Sequence, residues 1–458
     1  MNTGAGVLFL FIGWSCIFFA PASSLYGRRI TYIICLLAGT LGSIWFATAR
    51  RTSDTIWSQA FVGMSEACAE AQVQQSLSDI FFQHQLGSVL TVYILATSVG
   101  SFLGPLIAGF ISQAQSFRWV GWWGAIFCGM TLIIVIFGCE ETVFDRLKYS
   151  QVYESEDGNT NKEIETSEVD MKKVNSNEIL SLETLKSLNE DQESQTKEEE
   201  KLKPFHKRIA IITPSPYLIG VGFKQYIKRF LDNFRVFTLP AVWLSGLLWG
   251  LQDSYMTFFL TTEDTYFSSP PWNYSENGVA IMNVATLIGA VVGCFMSGIL
   301  SDRHVLWLSR RNGGVFEPEM RLWLLFVTLI ISPVGLIMFG VGAARQWPWQ
   351  VIYVGLGFIG FGWGSIGDTA MSYLMDAYPS IVIQGMVGVS IINNTLACVF
   401  TFVCSYWLDA SGTQNTYIVL AVIDFVSIGL IIPTLIYGKT WRKNTKKLYI
   451  SMVELLQN

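Results

Sequence analysis

The chain has 458 residues, of which 51% are hydrophobic and 14% charged, whereas an ordinary soluble domain is about 25% charged. This balance excludes a soluble enzyme or nucleic-acid binder and places the chain in a lipid bilayer. Charge is also uneven: Gln151 to Lys203 holds 15 acidic and 7 basic residues, net −8, so the rest of a chain of net −5 carries +3.

A helix that crosses about 30 Å of hydrocarbon needs roughly 20 largely apolar residues. Eleven runs are predicted to do so: 5–24, 30–48, 56–77, 88–112, 119–138, 236–260, 278–300, 321–343, 349–375, 386–408 and 416–438. Asn393 and Asn394 interrupt the tenth. The eight cysteines lie in or beside these runs without CxxC spacing, so they read as small packing residues rather than disulfides or metal ligands. The opening MNTGAG lacks the basic stretch of a secretory signal.

Basic residues near the membrane set the orientation. With Arg28 and Arg29 in the cytosol, Arg303, Arg310, Arg311, Arg321, Lys439, Arg442, Lys443, Lys446 and Lys447 are also inside, leaving Arg50, Arg51, Arg118 and Arg345 outside. The loop PPWNYSENG then faces out with Asn273 as a glycosylation candidate, although Asn393-Asn394-Thr395 matches the same acceptor pattern inside a span.

The organisation is two pseudo-symmetric helical bundles, residues 1–140 and 236–440, with a loop at 141–235 and a cytosolic tail at 441–458. The loop is rich in Glu, Ser, Asn and Lys and poor in aromatics, which predicts disorder, with a basic amphipathic element over 203–230 on the inner leaflet. Short motifs repeat between the halves: Gly27, Arg28 and Arg29 follow the first span, and Gly298, Asp302 and Arg303 follow the seventh. In the fourth span Gly100, Gly104, Pro105 and Gly109 form GxxxGPxxxG, where the glycines are predicted to admit a close helix neighbour and the proline to bend the helix.

These motifs resemble the inner-face and fifth-helix motifs of the major facilitator superfamily. The inner-face motif normally carries an acid where Ser24 stands. Longer runs, among them EAQVQQSLSDIFFQHQLGSVLTVYI, GVAIMNV and SGTQNTYI, resemble the fungal drug:proton antiporter group and within it the polyamine and histidinol permeases. The resemblance implies an all-α membrane protein with the major facilitator fold. The first span here aligns with the second of twelve helices, so helix 1 is missing and a segment before Met1 is expected.

Carboxylates in the middle of a span are costly and mark a wet pathway. Glu66, Glu70, Asp253 and Asp368 are such residues, with Asp424 a fifth. On the family alignment the first four fall on helices 4, 7 and 10, which line the central cavity. Gln59, Gly63, Glu66, Glu70 and Gln74 recur every three or four residues, one helical face, with the two glutamates about 6 Å apart along the axis. Two charges so close in a poorly solvated site do not both stay ionised, so the pair is expected to take up the coupling proton and exchange it against a substrate ammonium. Trp249, Trp363 and Tyr373 supply aromatic walls for an amine with apolar methylenes. In the resembling antiporters an arginine stands where this chain has Gln59, which removes a cation from the path.

The sequence therefore predicts proton-coupled transport of organic cations, polyamines and histidinol-like amines, across the fungal plasma membrane by alternating access. Asp302, Arg303, Arg28 and Arg29 are expected to pair across the two bundles at the inner gate. The partners are a small cation, protons and lipid; no cofactor or metal is expected, and the chain is read as a monomer. Export of cationic drugs, non-transporting nutrient sensing and an inactive truncated product are the alternatives.

Overall fold

The computed structural model describes residues 2–81, 86–142, 209–215 and 218–457, so the acidic loop at 151–200 lies outside the described residues. Among them no strand occurs. The first half contains α1 (Asn2–Tyr26), α2 (Arg28–Thr48), α3 (Thr52–Ile80), α4 (Leu86–Ala114) and α5 (Phe117–Gly138). A linking helix α6 (Phe223–Asp232) leads through a tight turn, Asn233–Thr238, into the second half. There α7 (Pro240–Thr262), α8 (Glu276–Phe295), α9 (Ser301–Arg311), α10 (Leu325–Ala344), α11 (Trp349–Ala377), α12 (Val382–Gly429) and α13 (Ile431–Gln457) follow.

Local chemistry sets the breaks. Gly27 has φ 99°, a left-handed conformation that favours glycine, and ends α1. The Asp54 carboxylate accepts from the backbone N–H of Arg51 at 3.1 Å and so starts α3, as Ser275 Oγ does for α8 by accepting from Gly278 N–H at 3.2 Å. Pro240 occupies the first turn of α7, where its missing N–H costs nothing.

Eight helical stretches are long and apolar enough to cross a membrane, or nine when the bent pair Phe223–Thr238 and Pro240–Phe267 is one span. The predicted count of eleven is not reached on this measure for two reasons. The polar residues of α3, with Glu66, Glu70 and three glutamines, dilute its apolarity. The last two predicted spans lie in one run, Pro379–Glu454, whose only non-helical residue inside α12 is Gly412. No break marks the predicted start of the tail at 441, because α13 continues to Gln457 and packs Tyr449 against Tyr378 with ring centroids 5.5 Å apart.

The two halves meet along two seams, α1 against α12 and α4 against α8. Cys16 Sγ meets Ser390 Oγ at 3.3 Å on the first seam, and Ser98 Oγ meets Cys294 Sγ at 3.7 Å on the second. α11 is 67% buried across its spanning window and α5 only 6%, so α11 runs through the interior while α5 presents its apolar surface outward. Because successive spanning helices reverse direction, Arg28, Arg29, Arg321 and the lysines of α13 gather at one end of the protein, called here the basic end.

Candidate functional site

The acids predicted from sequence occupy two levels. Asp253, on α7, is buried at 8% exposure and accepts a hydrogen bond at 3.0 Å from the indole Nε1–H of Trp363 on α11. A bond to a charged acceptor contributes about 1.5–3 kcal/mol, so this contact fixes both the carboxylate and the ring. Trp363 thus pairs with Asp253 and not with Asp368, five residues further along α11, because five residues turn a helix well past the same face. The Trp249 and Trp363 rings lie 4.6 Å apart, and Phe102 of α4 meets Trp363 edge-on at 5.5 Å. The first half thus closes one side of an aromatic wall built by the second.

Asp253 is within electrostatic range of both Glu66 and Glu70 on α3, and Glu66 of Glu70. Glu66 is exposed and Glu70 half-buried, with one Glu70 oxygen lacking a hydrogen-bond partner. Gly63, on the same predicted face, is tight against Leu8 and Phe11 of α1, which brings α1 and α3 into contact. Beside Glu70 the Tyr93 hydroxyl donates to the Ala69 carbonyl at 2.8 Å, tying α4 to α3. No lysine or arginine among the described residues forms an ion pair with Glu66, Glu70, Asp253 or Asp368.

Asp368 sits apart from this group. It is five residues beyond Trp363 on α11, about 7.5 Å nearer the basic end, and 1% exposed. The Thr91 hydroxyl of α4 donates to its Oδ2 at 3.2 Å, joining the halves. A few residues further on, Gln74 Nε2 lies 3.0 Å from Met371 Sδ across the same boundary. Asp368 therefore closes the basic end of the site. Tyr373 is not brought to the acids; it is 2% exposed and stands near the Glu319–Arg442 ion pair.

Three residues not named as site candidates from the sequence lie beside the acids: Asn393, Phe102 and Thr91. Asn393 of α12 stands next to Asp253 and, though fully buried, has neither amide atom in a hydrogen bond of ordinary geometry. Its signal was legible as an Asn–Asn pair inside an apolar span, whereas Phe102 and Thr91 carry no distinguishing signal in their runs. Asp424 lies outside the group, accepting from Gln252 Nε2 at 2.9 Å.

The gate residues Arg28 and Asp302 take part in ion pairs among the described residues. Arg28 pairs with Asp79 and Asp302 with Arg321 at 2.9 Å, while Arg321 also holds Asp376; these ion pairs run within each half rather than between halves. The reason is local: each cation is anchored on a helix end of its own half. The backbone N–H groups of Arg28 and Arg29 donate to the Glu141 carboxylate at 3.1 and 3.2 Å, and Arg29 reaches the Ile136 carbonyl at the end of α5. A Cβ on Gly27 would meet Glu141 at 2.5 Å, so space and backbone angle both require glycine there. Arg303 is exposed.

Gly298 lets α4 approach, since an added Cβ would collide with the Thr91 side chain. Gly100 and Gly104 have no described atom within 4 Å of an added Cβ, and it is Gly109 that meets the second half, 2.9 Å from Ala280. The predicted close approach at GxxxG is thus displaced along the helix past Pro105, because α4 packs on α8 with its other face. Asn273, at φ 49°, is exposed in the turn before α8.

Comparison with known proteins places this geometry in context. The family model described as Major Facilitator Superfamily matches residues 2–402. Protein HOL1 of Saccharomyces cerevisiae is 56% identical over 99% of this chain and 82% of its own length. An MFS-type transporter of Schizosaccharomyces pombe is 47% identical over 99% of this chain and 80% of its own. Among solved structures, the proton:xylose symporter XylE superposes with a TM-score of 0.60 over 95% of this chain and 86% of its own, at 10% identity.

Proposed function

The chain belongs to the major facilitator superfamily, and on that footing we propose that it is a proton-coupled transporter of organic cations, polyamines and histidinol-like amines, at the fungal plasma membrane. One observation carries the reading: three carboxylates, Glu66, Glu70 and Asp253, converge from both halves with no cation among the described residues paired to them, beside a wall of Trp249, Trp363 and Phe102. Such a cluster is unfavourable unless protons or a cationic ligand neutralise it. An amine whose ammonium groups are separated by methylenes meets both demands, by charge pairing to the acids and by cation–π and apolar contact with the rings.

In this reading Asp253 receives one ammonium while the Glu66–Glu70 pair exchanges its proton for another. Alternating access follows from rocking of the halves on the α1–α12 and α4–α8 seams, with Thr91 and Asp368 closing the basic, cytosolic end. The ion pairs of Arg28 and Arg321 serve as stiffeners of each half during that motion, and the chain acts as a monomer.

Uptake of radiolabelled spermidine by cells lacking their own permease tests the proposal. Wild-type uptake is expected to change with external pH, and the Glu66→Gln/Glu70→Gln variant, with no titrating group in the pair, to give a flat and lower profile. Unchanged uptake with unchanged pH dependence in that variant would overturn the assignment. An exporter would instead lower spermidine accumulation on expression.

The orientation has its own check. With the basic end in the cytosol, exposed Asn273 faces out and is expected to carry a glycan. Treatment with peptide N-glycosidase should then shift the wild-type band and leave Asn273→Gln unchanged; a wild-type band that does not shift removes this support.

A further inference from the structure

The linker helix α6 and its flanks present three distinct faces. At about 100° per residue, Tyr226, Arg229, Phe230 and Asn233 share one side, and it is this side that meets the protein. The Tyr226 hydroxyl donates to the Phe18 carbonyl at 3.0 Å, Arg229 Nη1 donates to Ser24 Oγ at 2.9 Å, and the Phe230 and Phe18 rings are 5.2 Å apart. Just upstream, the Tyr26 hydroxyl donates to the Val221 carbonyl at 2.6 Å, and the Thr213 and Ser215 N–H groups donate to the carbonyls of Tyr26 and Leu25 at 3.0 and 2.8 Å. The segment is thus fastened to the basic end of α1.

The second face is apolar and uncovered: Phe223 is 71% exposed, Ile227 42% and Leu231 59%. They fall on one arc of the helix. Directly beside that arc lie Lys224 and Lys228, both exposed, and Arg235 follows in the next turn. Among the described residues none of these three cations has a carboxylate partner beyond the exposed Arg235–Asp232 contact at 3.4 Å. The axis of this segment is bent 83° from the helix that follows. Where α7 crosses the bilayer, α6 therefore lies nearly in the membrane plane, at the basic end.

We propose that α6 is a binding site for anionic phospholipid headgroups: Phe223, Ile227 and Leu231 enter the acyl layer while Lys224, Lys228 and Arg235 pair with headgroup phosphates and carboxylates. Charge complementarity selects this occupant. An apolar arc flanked by lysines, set in the membrane plane, matches the boundary between acyl chains and a negative surface. Because the Tyr226–Arg229 face is bonded to Phe18 and Ser24 of α1, and the helix leads directly into α7, the lipid-held strap joins the two halves at the end where they separate.

The test uses the full chain reconstituted in nanodiscs of equal parts phosphatidylserine and phosphatidylcholine, then extracted and analysed for retained lipid. Each basic residue near an anionic surface is worth roughly fivefold in preference, so retained phosphatidylserine should exceed phosphatidylcholine severalfold. Lys224→Gln/Lys228→Gln is expected to lose most of that enrichment and Lys224→Arg/Lys228→Arg to keep it, with both variants monodisperse. Equal retention of the two lipids by wild type, or unchanged enrichment in the glutamine variant, overturns the proposal. Displacement of the lipid by inorganic phosphate alone also overturns it, since it would make the site one for free phosphate. The readout is lipid, not transport, so it stands or falls apart from the amine assignment.

Discussion

Asp253→Asn is expected to raise the spermidine concentration for half-maximal uptake by roughly 30-fold or more, with surface abundance unchanged. Removing one partner of a buried charge pair costs about 2–5 kcal/mol, and the lower figure converts to about 30-fold. Asp253 is the strongest candidate for such an effect because it is the most enclosed of the three converging acids. Held by the Trp363 indole at 3.0 Å and flanked by Asn393, it cannot turn away to let another group substitute. Folding is expected to tolerate the change, since replacing a buried charge with a neutral isostere relieves a desolvation cost. Trp363→Phe separates the parts: it keeps the carboxylate and a ring while deleting the donor, so a smaller rise of about tenfold is expected from loss of one charge-assisted bond. A wild-type concentration dependence in Asp253→Asn would remove Asp253 from the site.

The sequence was most legible where chemistry is scarce. Carboxylates are so costly in apolar spans that Glu66, Glu70 and Asp253 stood out as candidates, and α3 and α7 bring the three within electrostatic range of one another. Glycine motifs were read less well. Gly27 and Gly298 sit where backbone angle or close approach demands them, but Gly100 and Gly104 match a pattern without a described neighbour. A spacing rule gives which residues share a face and not what that face touches.

The aromatic partners were harder still. Trp363 pairs with Asp253 on another helix, 110 positions away, and nothing in either run encodes that meeting. Charges at the basic end were legible as charges only. Whether Asp302 pairs with Arg321 in its own half or with a residue of the other depends on how far each helix extends past the bundle, which hydropathy does not fix. Phe102 and Thr91 were invisible for a simpler reason: an apolar or hydroxyl residue in a spanning helix is the commonest thing there, and only the α4–α8 seam gives it a role.

Gly298→Ala should slow uptake by about tenfold through a purely steric effect at that seam. Gly298 faces Thr91, whose Cβ would lie 2.7 Å from the added methyl and whose hydroxyl holds Asp368 at 3.2 Å, so the new group pushes α4 off α8 at the basic end. Overpacking of this kind costs about 1–3 kcal/mol, and it falls only on the state in which the halves are closed there. A transporter that must close that end in each cycle then spends less time in the required state, with the acids themselves untouched. Thr91→Ala in the same chain removes the hydroxyl and methyl that collide, and partial recovery of uptake is expected although the bond to Asp368 is lost. Cys294 offers a direct reading of the opening: it is 1% exposed and lies 3.7 Å from Ser98 on the seam. In a Cys139→Ser background, a water-soluble maleimide added from the basic side should label Cys294 faster in Gly298→Ala than in the parent. Equal labelling together with equal uptake would show that the seam does not open during transport, and the rocking of the two halves about Gly298 and Thr91 would have to be abandoned.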